Sequence, residues 1–286
     1  MIEVYRLMTL FSFLFGFLTA HTSEEKPIVV LTTTYNNRKW AKKNVSSIFK
    51  QDYSNYRVIY IDDASQDGTA DLVEKWVNKQ KKKPRFELIR NRERAGALAN
   101  IYRAICDHCS DEEIVVSLDG DDWFYDTKVL KKINQAYSAR EVWLTHGTLL
   151  EFPAGTTGWS LPIPPDIVAR NAFRSYRCPS HLRTFYAWLF KRIRLEDLQH
   201  KGEFFSMTWD QAMMFPMIEM AGERHAFISE INYVYNMSNP LNDNKVDPQL
   251  QRDLEALIRT MPPYQRLNKA LPCQEGTMSF QSSINP

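Results

Sequence analysis

Three carboxylates fall within four residues at Asp119, Asp121 and Asp122, in the stretch VVSLDGDDWF. Charges this close repel, so a fold keeps them together where a positive partner is at hand. A divalent cation, with its preference for carboxylate oxygen, is the simplest one. A solvated acidic turn is the competing reading. Asp119 and Asp121 form an Asp-x-Asp that could hold a diphosphate through such a metal, and Gly120 between them permits a tight turn. A second acidic pair, Asp62 and Asp63, could accept hydrogen bonds from a nucleobase or a ribose.

Each polar group follows a short apolar, β-branched run. Residues 28–31 precede Thr32 to Asn36, residues 58–61 precede Asp62, and residues 114–118 lead to Asp119. Residues 86–89 read as a further strand. Such runs suit strands covered on both faces. Between them the spacing turns helical, as in Trp40, Val45, Ile48 and Phe49, with Asn37 as the expected cap. The alternation predicts an α/β fold with a mostly parallel sheet flanked by helices. Ligands bind such sheets at the carboxyl ends of the strands. The three polar groups therefore converge on one edge, which argues against a merely wet turn. Neither G-x-G-x-x-G nor a P-loop follows the first strand. The residues ask for a nucleotide diphosphate gripped through a metal, not through a glycine cradle.

Successive stretches IVVLTTTYNN, VIYIDDASQDGT, NRERAGALAN and VVSLDGDDWF resemble, in order and spacing, the motifs of family-2 glycosyltransferases with the GT-A fold. The likeness covers about residues 27–125 and continues more loosely from MTWDQAM to YVYNMSNPLND. It implies an enzyme that moves a sugar from a nucleotide-diphosphate sugar to a glycan, lipid or protein hydroxyl with inversion. It implies that Thr33, Tyr35 and Asp63 hold the base of the donor. Asp119 would serve ribose and metal, Asp121 the metal itself, as Mn²⁺ or Mg²⁺. The family's catalytic base lies in a Glu-Asp pair at the start of a later helix. Here the pair reads Trp209-Asp210, so the first acid is missing and Asp210 stands at the base position. A nucleotidyltransferase, a phosphoryl-transfer enzyme with an aspartate nucleophile and a non-catalytic nucleotide-sugar-binding module are the other classes weighed. The first lacks its Gly- and Lys-rich triphosphate loop, and DGDDW does not suit the second.

The rest of the chain is less explicit. Its 286 residues suit one large domain or one domain with additions, and a net charge of +2 sets no strong preference for nucleic acid or a membrane surface. The apolar stretch 7–20 reads as a signal peptide or membrane anchor within residues 1–25, which points to a membrane-associated or secretory location. Residues 26–260 form the expected transferase domain, with 26–150 as donor half and 151–260 as acceptor half, and 261–286 form a loosely attached tail. His181 and Arg183 are candidate acceptor or phosphate contacts, and His225 is a possible further metal ligand. Residues 209–220 predict a helix kinked or delayed by Pro216, with its methionines as core filler. Residues 226–235 predict a strand pair, residues 248–259 a helix, and the turn-rich stretch holding Tyr235, Asn236, Asn239 and Asp243 a loop over the donor. Cys106 and Cys109 form a C-x-x-C on a helical stretch, read as ordinary thiols rather than a zinc or redox site.

Overall fold

The structure, a computed structural model, describes residues 24–268 apart from 82 and 178. The expected signal or anchor and most of the tail therefore lie outside the described residues. The first half alternates as expected: β1 (Ile28–Thr34), α1 (Arg38–Phe49), β2 (Tyr56–Asp62), α2 (Thr69–Asn78), β3 (Arg85–Arg90), α3 (Ala97–His108) and β4 (Ile114–Ser117). The short β5 (Trp123–Phe124) and α4 (Val129–Ala139) follow. The second half holds β6 (Leu144–Phe152), β7 (Thr156–Thr157), α5 (Pro165–Ala169), β8 (Arg183–Tyr186), α6 (Ala187–Phe190), β9 (Gln199–His200), β10 (Glu203–Phe204), α7 (Trp209–Ala221), β11 (His225–Asn236), α8 (Asp243–Val246) and α9 (Pro248–Thr260).

One sheet runs in the order β3-β2-β1-β4-β8-β6-β11-β5, with β7 hairpinned onto β6. Strands β3, β2, β1 and β4 are parallel, β8 is antiparallel to both its neighbours, and β6 and β11 are again parallel. The alternation along β1 explains why its sequence reads as an unbroken apolar run. Ile28 and Val30 pack on one face against α1, α2 and α4, while Val29 and Leu31 pack on the other against α3, α6 and α7. Each such side chain contributes about 2 kcal/mol by leaving water.

Three local expectations change. Residues 226–235 are not a strand pair. They lie within one long strand, β11, whose pairing with β6 slips between Ile228 and Tyr233; the polar Ser229 and Glu230 sit at that irregularity. Pro216 does not delay α7, which begins seven residues before it. That helix is buried on all sides, Met213, Met214 and Met217 fully so, and its packing offsets the one backbone hydrogen bond that proline removes. Residues 262–268 are not loose. Tyr264 N–H donates to Glu219 at 2.9 Å and Leu267 N–H to the Met220 carbonyl at 2.9 Å. Glu219, wholly buried in α7, also takes two bonds from Arg174 at 2.6 and 3.0 Å.

Candidate active site

A cleft of about 1260 Å³ opens at the carboxyl ends of β1, β2 and β4. Thr33, Tyr35, Asp63, Asp119, Asp121, His181, Arg183 and Asp210 all line it. The site is thus assembled from both halves of the chain.

At the β1 end, Gly120 touches the first loop. A Cβ at Gly120 would stand 2.4 Å from Thr34 Cβ and Oγ1 and 2.9 Å from the Thr33 carbonyl oxygen. The glycine is needed for this close approach, not for a left-handed turn; the residue is absent from the positive-φ positions. Gly120 N–H also donates to the Thr33 carbonyl at 3.0 Å. Asn37 precedes α1 without capping it. Its side-chain oxygen instead accepts from Asn239 at 3.1 Å.

Asp63 is buried at the end of β2. Its oxygens accept from the Asn91 amide at 2.8 Å, Ala95 N–H at 2.8 Å and Gly96 N–H at 2.9 Å. Burial opposes its charge, but these bonds outweigh it and hold the carboxyl below its ordinary range. Asp63 therefore shapes the 91–96 loop as well as facing the cleft. That loop carries Arg94, whose guanidinium lies 4.1 Å from the Tyr35 ring centroid. Arg94 lines the cleft and was not singled out from sequence. Its signal was there, a cation in the motif NRERAG, but nothing local tied it to Tyr35.

The three acids have separate environments. Asp122 is fully buried, accepting from Tyr233 O–H at 2.5 Å and Asn236 N–H at 2.7 Å. Asp119 accepts from the same hydroxyl at 3.2 Å and lies 3.6 Å from His181 Nε2. Asp121 accepts from Asn239 at 2.6 Å. Burial, with the charges of its two neighbours, pushes Asp122 well up. Burial and then Asp119 push Asp121 up to about 6. For Asp119, burial is outweighed by His181 and Arg183, which hold it down. Burial, reinforced by Arg183, pushes His181 below its ordinary value, so its imidazole is neutral with a lone pair to offer.

Ligand atoms of Asp119, Asp122 and His181 lie within 4.8 Å of one another, which makes them a possible metal-binding group. Two carboxylates and an imidazole suit a cation such as Mn²⁺, which would relieve the neighbouring charge that adds to burial in raising Asp122. Asp121, the residue expected to touch metal, stands beside this group rather than in it. Asp122, whose role the sequence left open, is within it. His225 is not: it lies at the opposite end of β11, ring-to-ring with His146 at 5.7 Å. Cys106 and Cys109 are not part of that group either, and burial pushes the Cys109 thiol up to about 12.

Across the cleft, Asp210 begins α7 after Thr208, which adopts a left-handed backbone with φ +53°. Arg183 from β8 donates to its carboxylate at 2.9 Å. His181 and Arg183 thus face the acids, Asp119 and Asp210 respectively. Asp243 joins them in the cleft, pushed up to about 6 by burial and by the charge of Asp210 and Asp119.

A family model described as glycosyl transferase family 2 matches residues 29–199. The chain belongs to that family. Within family 2, it is 29% identical over 109 residues to the Bacillus subtilis protein TuaG, named as a teichuronic acid biosynthesis glycosyltransferase. The match covers 38% of this chain and 41% of TuaG, so less than half of that relative is represented. The fold is shared with TarS of S. aureus solved with UDP-GlcNAc (TM-score 0.59, 17% identity, 81% of this chain and 65% of that one). It is shared too with the mannosyltransferase PcManGT of Pyrobaculum calidifontis, solved with GDP-Man and Mn²⁺ (TM-score 0.52, 20% identity, 74% and 57%). The α/β architecture of this family 2 chain is thereby that of GT-A glycosyltransferases, as its motifs implied.

Proposed function

We propose that the protein is a metal-dependent inverting glycosyltransferase, using a nucleotide-diphosphate sugar and an acceptor hydroxyl. The observation that carries this reading is the single cleft with an acid cluster on one wall and an arginine-held carboxylate, Asp210, on the other. In it, Thr33, Tyr35 and Asp63 receive the nucleoside, and the donor half is residues 26–150. Asp119, with Asp121 or Asp122 and His181, would hold a divalent cation, whose chemistry is to neutralise the departing diphosphate. Asp210 accepts the proton of the acceptor hydroxyl. The oxygen bonds to the anomeric carbon as the carbon–diphosphate bond breaks, its electron pair leaving with the diphosphate. Arg183 orients Asp210 for that step, and the acceptor binds between residues 151 and 260. The acceptor, whether glycan, lipid-linked or protein-linked, meets a rim that includes exposed Trp159 and Arg177.

The apolar segment 7–20 places the protein at a membrane or in a secretory compartment in this reading. Among the described residues no helix is long and apolar enough to cross a membrane.

The test incubates the purified full chain with a panel of UDP- and GDP-sugars and Mn²⁺ or Mg²⁺, and measures nucleotide diphosphate release with acceptors of each class. Release is expected to stop on chelation and in Asp119→Ala. Turnover that survives both overturns the metal role.

A further inference from the structure

Away from the cleft, α1 carries a second concave surface. Exposed Lys39, Lys42 and Lys43 oppose its buried residues Ala41, Asn44, Val45 and Ile48, and exposed Lys50 follows its last turn. At about 100° and 1.5 Å per residue, the four cations share one side of the helix along about 16 Å. They wall a groove of about 610 Å³ completed by residues 123–127. Its floor is aromatic. The Lys43 ammonium lies 3.4 Å from the Trp123 ring centroid and 4.7 Å from that of Phe152, and Trp40 stacks on Trp123 at 6.3 Å. Tyr125, half exposed, stands at the rim. Asp126, the acid on the groove wall, is engaged by Lys132 at 2.8 Å. Among the described residues no ion pair occupies the four lysines.

We propose that this groove docks the protein on a membrane surface bearing anionic lipid headgroups. A row of cations in a chain of net charge +2 is a local concentration, and its length matches several spaced phosphates rather than one. Tyrosine and tryptophan beside the row suit the headgroup level, where one edge of the ring is wet and the rest apolar. The chain outside the structure supplies the second reason. Residues 1–23, with the apolar stretch 7–20, join the fold at Glu24. The Glu25 carboxylate accepts from the backbone of Ser54 and Asn55, at 3.0 Å each, and Tyr53 O–H donates to the Lys26 carbonyl at 2.7 Å. The described chain thus begins on residues 53–55, which follow Lys50 closely in sequence. An apolar segment and a basic surface are the two signals that together give stable membrane attachment.

The test is flotation of the full chain with vesicles of phosphatidylcholine alone or with about 30% phosphatidylglycerol. Binding is expected to be at least about tenfold tighter to the anionic vesicles and to lose that advantage in about 0.5 M salt. The combined Lys39→Gln, Lys42→Gln, Lys43→Gln and Lys50→Gln variant should lose the anionic preference. A control with Lys75→Gln, Lys79→Gln, Lys81→Gln and Lys83→Gln, which removes equal charge near the end of α2, should keep it. Circular dichroism and melting verify folding, and Lys42→Glu alone, expected to weaken binding at least about threefold, serves if the combined variant does not fold. Equal loss in the control, no loss in the groove variants, or capture of an anionic polysaccharide or RNA without any preference for anionic vesicles would each overturn the proposal.

Discussion

The two halves of the molecule organise their polar groups differently. In the first half, Asp63 is satisfied by Asn91, Ala95 and Gly96, next to the strand that follows its own. Asn36 and Asp67 likewise bond within the neighbouring turn, to Gln66 N–H at 2.8 Å and Arg38 N–H at 2.9 Å. From the second half the bonds reach far. Tyr233 serves Asp122 from 111 residues away and Asn239 serves Asp121 from 118. Arg183 is delivered to Asp210 by the antiparallel strand β8 that separates β4 from β6. A nucleotide site can be framed locally by a parallel sheet, but its acid cluster and its opposing carboxylate are set by the later chain.

The sharpest way to break that division is Asp210→Asn. Transfer should fall by about a thousandfold in kcat, the scale of losing a general base, with donor affinity unchanged by calorimetry. Near-wild-type transfer would move the base elsewhere. Next comes acid. His146, buried in β6 with neither ring nitrogen hydrogen-bonded among the described residues, is pushed down by burial, then by His225, to about 3 from 6.5. The unfolded chain therefore binds more protons between these values. Stability is unaffected above about pH 6.5 and falls by up to about 1.4 kcal/mol per pH unit below it. Denaturation midpoints followed from pH 7 to 4 should show this slope, and His146→Phe should flatten it; an unchanged slope refutes the assignment.

Tyr233→Phe removes the hydroxyl shared by Asp119 and Asp122. A loss of about 1–2 kcal/mol is expected in urea unfolding, because a buried carboxyl is left short of a donor, along with weaker Mn²⁺ retention. Equal metal retention would separate the hydroxyl from the acid cluster. The smallest effect belongs to the outer edge of the first half. Arg90 pairs with exposed Asp71 and Glu74, and Arg90→Ala should alter stability by under about 0.5 kcal/mol. A larger loss would mean that this edge carries more of the fold than its exposure suggests.

The same contrast explains what could be read in advance. Three buried parallel strands, β1, β2 and β4, appear in sequence as apolar runs ending in polar residues, so they and the convergence of Thr33, Asp63 and Asp119 were legible. Asp210 came through the family motif alone. The role of β8 was not legible, because an antiparallel insertion between two parallel strands leaves no local mark. Tyr233 read only as a strand residue, since its partners lie more than a hundred positions away. Asn37 looked like a helix cap because capping is the local use of asparagine; Asn239 takes it for a distant one.

Tyr233 also has a bearing on how the protein is made. Its hydroxyl and the Asn236 backbone gather Asp119 and Asp122, yet both residues emerge from a ribosome long after β4. Until β11 has docked, the nascent first half presents mutually repelling acids at the end of a strand with no partner to draw them in. Completion of the acid cluster is thus tied to the vectorial order of synthesis. The parallel sheet can be laid down early, while the wall that faces Asp210 is finished only when most of the chain has left the tunnel.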